Sequence, residues 1–174
     1  MSTLERAIEI AARRHEGQVD KGGQPYILHP IRVMLAVQTP YERIAAILHD
    51  VVEDTSATFE DLEREGFPAE VVDAVRALTK FEGESRIEAA KRAVQNPIAR
   101  VVKLADVADN MDLGRISAPT EKDRVRLNEY LQVRSLLEGK LSSGLPPLDK
   151  SRKPHQLDFT PEQMAKALAQ VRAK

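Results

Sequence analysis

The chain has 174 residues, 42% of them hydrophobic, which is enough for one well-buried core and a single domain. Its 26 Lys and Arg stand against 27 Asp and Glu, a near-balance that argues against generic binding to nucleic acid or an anionic membrane but leaves room for a polyanionic small ligand. Cysteine is absent, which excludes a disulfide framework and thiolate chemistry.

Capping signals announce helices along the whole chain. Ser2-Thr3-Leu4-Glu5 opens one whose Leu4, Ala7, Ile8, Ala11 and Ala12 share a face. These first residues lack the basic and apolar regions of a signal peptide, and no apolar run approaches the roughly 20 residues of a membrane span. A cytoplasmic protein is expected. Gly17 to Pro25 reads as a polar loop. Pro30 sits where a first helical residue belongs, so His29 is expected just before the helix carrying Ile31, Val33, Met34 and Val37. Thr39-Pro40-Tyr41-Glu42 is a capping box that launches the central helix.

Thr58-Phe59-Glu60-Asp61 opens a short helix closed by Gly66, and Pro68 starts another with Val71, Val72, Val75 and Leu78. Ser85 to Glu88 caps the next. Asn96-Pro97 divides it from an apolar helix holding Val101, Val102, Leu104, Val107 and Met111, and Thr120 to Asp123 begins a long helix to Gly139. No convincing alternating strand emerges, so the expectation is an all-α, single-domain helical bundle over residues 1–140. Residues 141–159, rich in Ser, Gly, Pro and Lys, read as a linker. Residues 160–174 read as a C-terminal amphipathic helix that docks on the bundle or on a second copy, leaving the oligomeric state open, homodimer included.

The central helix carries the chemistry. Ile44 to Leu48 are apolar, and then His49, Asp50, Glu53 and Asp54 follow, interrupted by Val51 and Val52. At helical spacing His49 precedes Glu53 by one turn and Asp50 precedes Asp54, giving two polar strips with little water around them. Imidazole and carboxylate side by side suit a divalent metal, and two further acids one turn on suit activation of its water. A lone His-Asp pair is more often a satisfied core pair. Two further segments shift that balance. His29 is held between Pro25 and Pro30, and Lys103 to Asn110 repeats the pattern of an apolar helix turning acidic, with Asp106 and Asn110 on one face. His29, His49, Asp50 and Asp106 thus form a candidate two-His, two-Asp site with positions open to water and substrate. Mixed nitrogen and oxygen ligation suits Mn²⁺, with Fe²⁺, Co²⁺ or Zn²⁺ as competitors.

The order His, His-Asp, distant Asp resembles the HD-domain metal phosphohydrolases. The fuller text is more specific: His15-Glu16-Gly17-Gln18 with Lys21, Pro25-Tyr26-Ile27 with His29-Pro30, Leu48 to Thr55, Leu78-Thr79-Lys80, and Lys103 to Asp106 with Asn110. Over roughly Leu4 to Leu137 it resembles the hydrolase domain of the Rel/SpoT alarmone enzymes, especially the stand-alone small alarmone hydrolases. The resemblance implies that His29, His49, Asp50 and Asp106 are Mn²⁺ ligands and that Glu53 and Asp54 position and deprotonate the attacking water. It further implies that Asn110 contacts the ribose and that Lys21 belongs to the nucleotide-binding loop. The implied reaction removes the 3′-pyrophosphate from (p)ppGpp-like nucleotides.

Two positions depart from the family pattern. Asp20-Lys21 replaces an Arg-Lys pair whose arginine packs on the purine, which opens the choice between guanine and adenine, as in (p)ppApp. Asp109 stands where related enzymes often carry His or Tyr. Hydrolysis of another small phosphate ester is the second enzyme reading, and a binding-only alarmone module the third. The retention of six buried polar residues argues against that module. His15 reads as a structural hydrogen-bonding group near the site, and His155 as a solvated linker residue. Lys80, Lys91, Arg92, Arg100 and Lys103 are candidate phosphate contacts that the pattern does not point inward, and Arg124, Arg126 and Arg134 read as solvated faces.

Overall fold

Short-range caps set where most helices begin. The computed structural model describes residues 2–115 and 120–139. Thr3 Oγ1 accepts from Arg6 N and opens α1 (Leu4–Arg14). Thr39 and Glu42 exchange side chain-to-backbone bonds at the start of α3 (Pro40–Leu48), and Thr58 with Asp61 does the same for α5 (Phe59–Arg64). Each such cap contributes about 1 kcal/mol by satisfying amides that the helix itself cannot. Gly66, at φ +78°, then turns the chain out of α5 in a backbone conformation that a side chain disfavours.

Helix α2 (Leu28–Ala36) begins two residues earlier than Pro30 suggests. Proline is accommodated because the first-turn amides have no helical partner to lose. His29 therefore sits inside the first turn rather than ahead of it. The central helix also differs from the unbroken one expected. It stops at Leu48, and a single turn, α4 (Val51–Asp54), follows after a break at His49 and Asp50. At the break His49 Nδ1 donates to Ala46 O at 2.7 Å, the carbonyl that a continuous helix would offer to the amide of Asp50.

Downstream come α6 (Ala69–Leu78), α7 (Arg86–Val94) and α8 (Pro97–Asn110). Pro68 serves as the N-cap of α6 rather than its first residue. Ser85 and Glu88 form the capping box of α7, and Asn96 Oδ1 caps α8. A 3-10 turn (Leu113–Arg115) and α9 (Glu121–Leu137) complete the described helices. Within α8 the inward stripe is Ala99, Val102, Asp106 and Val107, whereas Val101 is 39% exposed and does not join the core.

Helix α3 is the hub, packed by α1, α2, α6 and α8, so Ile44 to Leu48 are all buried. Burying Ile47 and Leu48 contributes roughly 1.5–3 kcal/mol each. Helices α7, α8 and α9 pack on one another beside it. Among the described residues extended pairing is limited to a bridge between Val19 and Pro25, so the bundle is all-α. The described residues fall in one compact unit, Met1–Ser143. The linker at 141–159 and the helix at 160–174 lie outside the described residues. No helix among the described residues is long and apolar enough to cross a membrane.

Candidate metal centre

Mutual packing of α2, α3 and α8 brings three distant segments together. His29 comes from α2, His49 from the end of α3, Asp50 from the break, and Asp106 from α8. His29 Nε2 lies 3.3 Å from Asp106 Oδ1 and 3.5 Å from Asp50 Oδ2. His49 Nε2 lies 3.0 Å from Asp50 Oδ2 and 3.8 Å from Asp106 Oδ1. Donor atoms of His29, His49 and Asp106 all fall within 4.8 Å of one another.

These residues fit a divalent cation. With Nδ1 committed to Ala46 O, His49 Nε2 is buried with no hydrogen-bond partner among the described residues, its lone pair directed among carboxylates. Burial opposes charge on either imidazole, yet the facing carboxylates, chiefly Asp50 and Asp106 for His49 and Asp106 and Asp109 for His29, more than offset it. Both imidazoles therefore bind protons more tightly than usual. Protons and a cation compete for this cluster, since either neutralises the paired acids. Burial likewise opposes charge on Asp106, but Lys103 and the two imidazoles hold its carboxyl well below the ordinary range. Lys103 Nζ reaches Asp106 Oδ2 at 2.9 Å, and Asn110 Nδ2 donates to Asp106 Oδ1 at 2.5 Å.

The acid pair stands at the edge of this cluster. Glu53 and Asp54 are exposed and Asp50 half-buried, so the group of six is not uniformly buried as the apolar flanks suggested. The one-turn α4 carries the pair past the core. Even so, desolvation against the cavity wall, with Asp50 nearby, pushes both carboxyls up. Glu53 Oε2 accepts from Lys80 N at 2.7 Å. The Tyr26 hydroxyl lies 2.6 Å from Asp50 Oδ2 and 3.1 Å from Asp54 Oδ2, sharing one proton between two carboxylates.

A cavity opens over these groups, walled also by Lys80, Arg86, Lys103, Asn110, Tyr130 and Val133. The guanidinium of Arg86 sits 5.4 Å from the Tyr130 ring centroid and pairs with Glu129. The sequence names Tyr26 without a role and offers Lys80 and Lys103 only as candidate phosphate contacts with no inward direction, and it gives Arg86 and Tyr130 no place in the site. Lys103 was the findable one, because it precedes Asp106 by three residues on one helix face. Lys91 is exposed, Arg92 binds Glu84, and Arg100 donates to Leu137 O. Arg124, Arg126 and Arg134 pair with Glu121, Asp123 and Glu138 rather than facing water alone.

Lys21 is exposed and absent from the cavity wall. Its neighbour Asp20 closes the loop on itself, Oδ1 accepting from Gly22 N at 2.8 Å and Gln24 N at 3.0 Å. His15 is buried at the end of α1, its Nδ1 2.8 Å from Gln18 Oε1 and its ring 5.0 Å from that of Tyr26. Gln18 in turn donates to Asp54 O.

Residues 7–124 match the family model described as HD domain. The chain belongs to the HD domain family. This HD domain is 34% identical over 152 residues to the bifunctional (p)ppGpp synthase/hydrolase SpoT of Escherichia coli (strain K12), covering 79% of the chain and 22% of that protein. It is 35% identical over 149 residues to a probable GTP pyrophosphokinase of Mycobacterium leprae, covering 76% of the chain and 18% of that protein. The chain thus spans about a fifth of the length of these curated relatives. Among solved structures it resembles a metazoan ortholog of SpoT that hydrolyzes ppGpp and plays a role in starvation responses. That likeness has a TM-score of 0.65 and 29% identity, covering 80% of this chain and 88% of that one.

Proposed function

We propose that this HD domain is a divalent-metal-dependent hydrolase of (p)ppGpp-like nucleotides, with guanine or adenine as base. It removes the 3′-pyrophosphate and leaves the nucleoside 5′-di- or triphosphate. One observation carries the reading. His29, Asp50, Asp106 and the acid pair line the same cavity as Lys80, Arg86 and Lys103, and the buried His49 reaches the same carboxylates, its Nε2 3.0 Å from Asp50 Oδ2. The relatives named for (p)ppGpp synthesis and hydrolysis support it.

His29, His49, Asp50 and Asp106 would hold the cation, and Mn²⁺ suits their mixed donors, with Fe²⁺, Co²⁺ and Zn²⁺ as competitors. When bound, the ion acidifies water and offsets charge on the phosphoryl oxygens. Glu53 and Asp54 take the water's proton, a role their raised carboxyls suit because they accept protons more readily near neutral pH. Lys103, whose ammonium is held charged against burial by Asp106, faces the phosphates with Lys80 and Arg86. Asn110 gives its amide nitrogen to Asp106, so its oxygen is the group offered to a ribose hydroxyl. Lys21 lies outside the cavity wall, and we assign it a peripheral nucleotide contact.

Four acids line the cavity against Lys80, Arg86 and Lys103. A polyanionic substrate is therefore bound best when a cation has offset the acids. The partner is a small nucleotide rather than nucleic acid, and the proposed compartment is the cytoplasm.

A substrate panel tests the reading. With Mn²⁺, ppGpp and ppApp are expected to release pyrophosphate while deoxynucleoside monophosphates are not cleaved, and chelator is expected to stop turnover. Cleavage of the monophosphates alone would move the enzyme to another substrate class.

A further inference from the structure

We propose that Asp109 and Arg32 form a positioning pair that sets the His29 ring for metal binding. The proposal rests on the reading of the cluster as a metal centre. Asp109 Oδ2 lies 2.7 Å from His29 Nδ1. Arg32 binds the same carboxylate through both oxygens, Nε to Oδ1 at 2.6 Å and Nη2 to Oδ2 at 3.1 Å. A carboxylate engaged in this way accepts only, so Nδ1 carries the proton. Nε2 then presents its lone pair to Asp50 and Asp106, 3.5 and 3.3 Å away.

The two imidazoles obtain the same tautomer by different means. His49 donates Nδ1–H to the backbone carbonyl of Ala46, which no substitution removes. His29 depends on a side chain from another helix. A carboxylate also makes the ring a stronger donor to a metal than a carbonyl does. Arg32 answers the difficulty this creates, since another acid beside Asp50 and Asp106 would add repulsion to a crowded site. Its guanidinium offsets the Asp109 charge, and the planar fork fixes the carboxylate's rotation.

The spacing explains how two helices build this. His29 and Arg32 are three residues apart on α2, as are Asp106 and Asp109 on α8. Each helix supplies a metal-binding candidate and, one turn later, a supporting group on the same face. The packing of α2 on α8 then joins the supports.

The test is Mn²⁺ affinity, read from the electron paramagnetic resonance signal of the free ion. It compares the wild-type chain, Asp109→Ala, Arg32→Ala, the double variant and His49→Ala. Circular dichroism and thermal unfolding in chelator check that each is folded. Arg32 is 36% exposed and hydrates when its partner is removed. Asp109→Ala is expected to weaken Mn²⁺ binding about 10–100-fold. Arg32→Ala should weaken it less, and the double variant should bind no more weakly than Asp109→Ala, because Arg32 acts through Asp109. A merely structural role would move unfolding and leave this non-additive pattern in affinity absent. Asp109→Asn, which keeps the volume but sets an N–H donor against Arg32 or His29, carries the test if the alanine variant fails to fold.

Binding by folded Asp109→Ala within about threefold of wild type, with His49→Ala inactive in binding, overturns the proposal and leaves the metal centre standing. A folded wild-type chain that binds no Mn²⁺ overturns the metal centre itself, and this pair's role with it.

Discussion

The amide nitrogen of Lys80 donates a 2.7 Å hydrogen bond to Glu53 Oε2, tying the turn after α6 to the acid pair. Arg92 holds the same turn through Thr79 O and Glu84, so the position of Glu53 depends on a clamp outside the cavity wall.

Glu53→Gln keeps an oxygen for the Lys80 amide, and Asp54→Asn keeps one for Tyr26, yet neither can take a proton from water. Each is expected to retain metal while kcat falls about 10²–10⁴-fold. Steady-state kinetics with parallel metal titration decides it. Near-normal kcat in either variant would remove that residue from water activation.

Tyr26→Phe removes the proton shared by Asp50 and Asp54. Desolvation raises the Asp54 carboxyl and the Tyr26 hydroxyl works against that rise, so the variant's Asp54 holds its proton up to higher pH. The acidic limb of the kcat/KM profile is expected to move to higher pH. An unmoved limb would mean that Asp54 is not the group titrating there.

The Arg92–Glu84 clamp predicts a pH-dependent stability. Arg92 holds the Glu84 carboxyl below its ordinary value. A depressed folded value gives stability that is fully present above the unfolded carboxyl's pKa, about 4.3, and is lost as pH falls through the folded one. Glu84→Gln should therefore destabilise by about 1 kcal/mol at neutral pH, and the gap to wild type should close in acid. Urea unfolding at several pH values measures it, and a gap constant with pH would refute the clamp.

Metal should stabilise the folded chain alone. At a hundredfold excess over Kd, Mn²⁺ is expected to add about 2.7 kcal/mol, seen as a rise in Tm that chelator reverses. His49→Ala should lose that rise, and a rise kept by this variant would place the ion elsewhere.

Features set by near neighbours were legible in the sequence. Thr39 with Glu42, Thr58 with Asp61 and Ser85 with Glu88 each lie three residues apart, and each forms the expected box. The residues brought together at the cluster were also legible, because His29, His49, Asp50 and Asp106 each follow or interrupt an apolar run. What escaped depended on side chains bonding the backbone or meeting across helices. The bond from the His49 imidazole to Ala46 O, at the break in the central helix, is one that periodicity does not register. Arg32 and Asp109 are 77 residues apart, so the departure at Asp109 was visible while its partner was not. Glu53 and Asp54 read as buried from Val51 and Val52, but only Val51 is fully covered.

The most direct measurement is hydrolysis of ppGpp in ¹⁸O-labelled water with Mn²⁺, the products weighed by mass spectrometry. The account predicts GDP without label and pyrophosphate carrying one labelled oxygen, because water attacks the phosphorus attached to the ribose 3′-oxygen. Label on the nucleoside, release of orthophosphate in place of pyrophosphate, or no turnover with metal bound would contradict it.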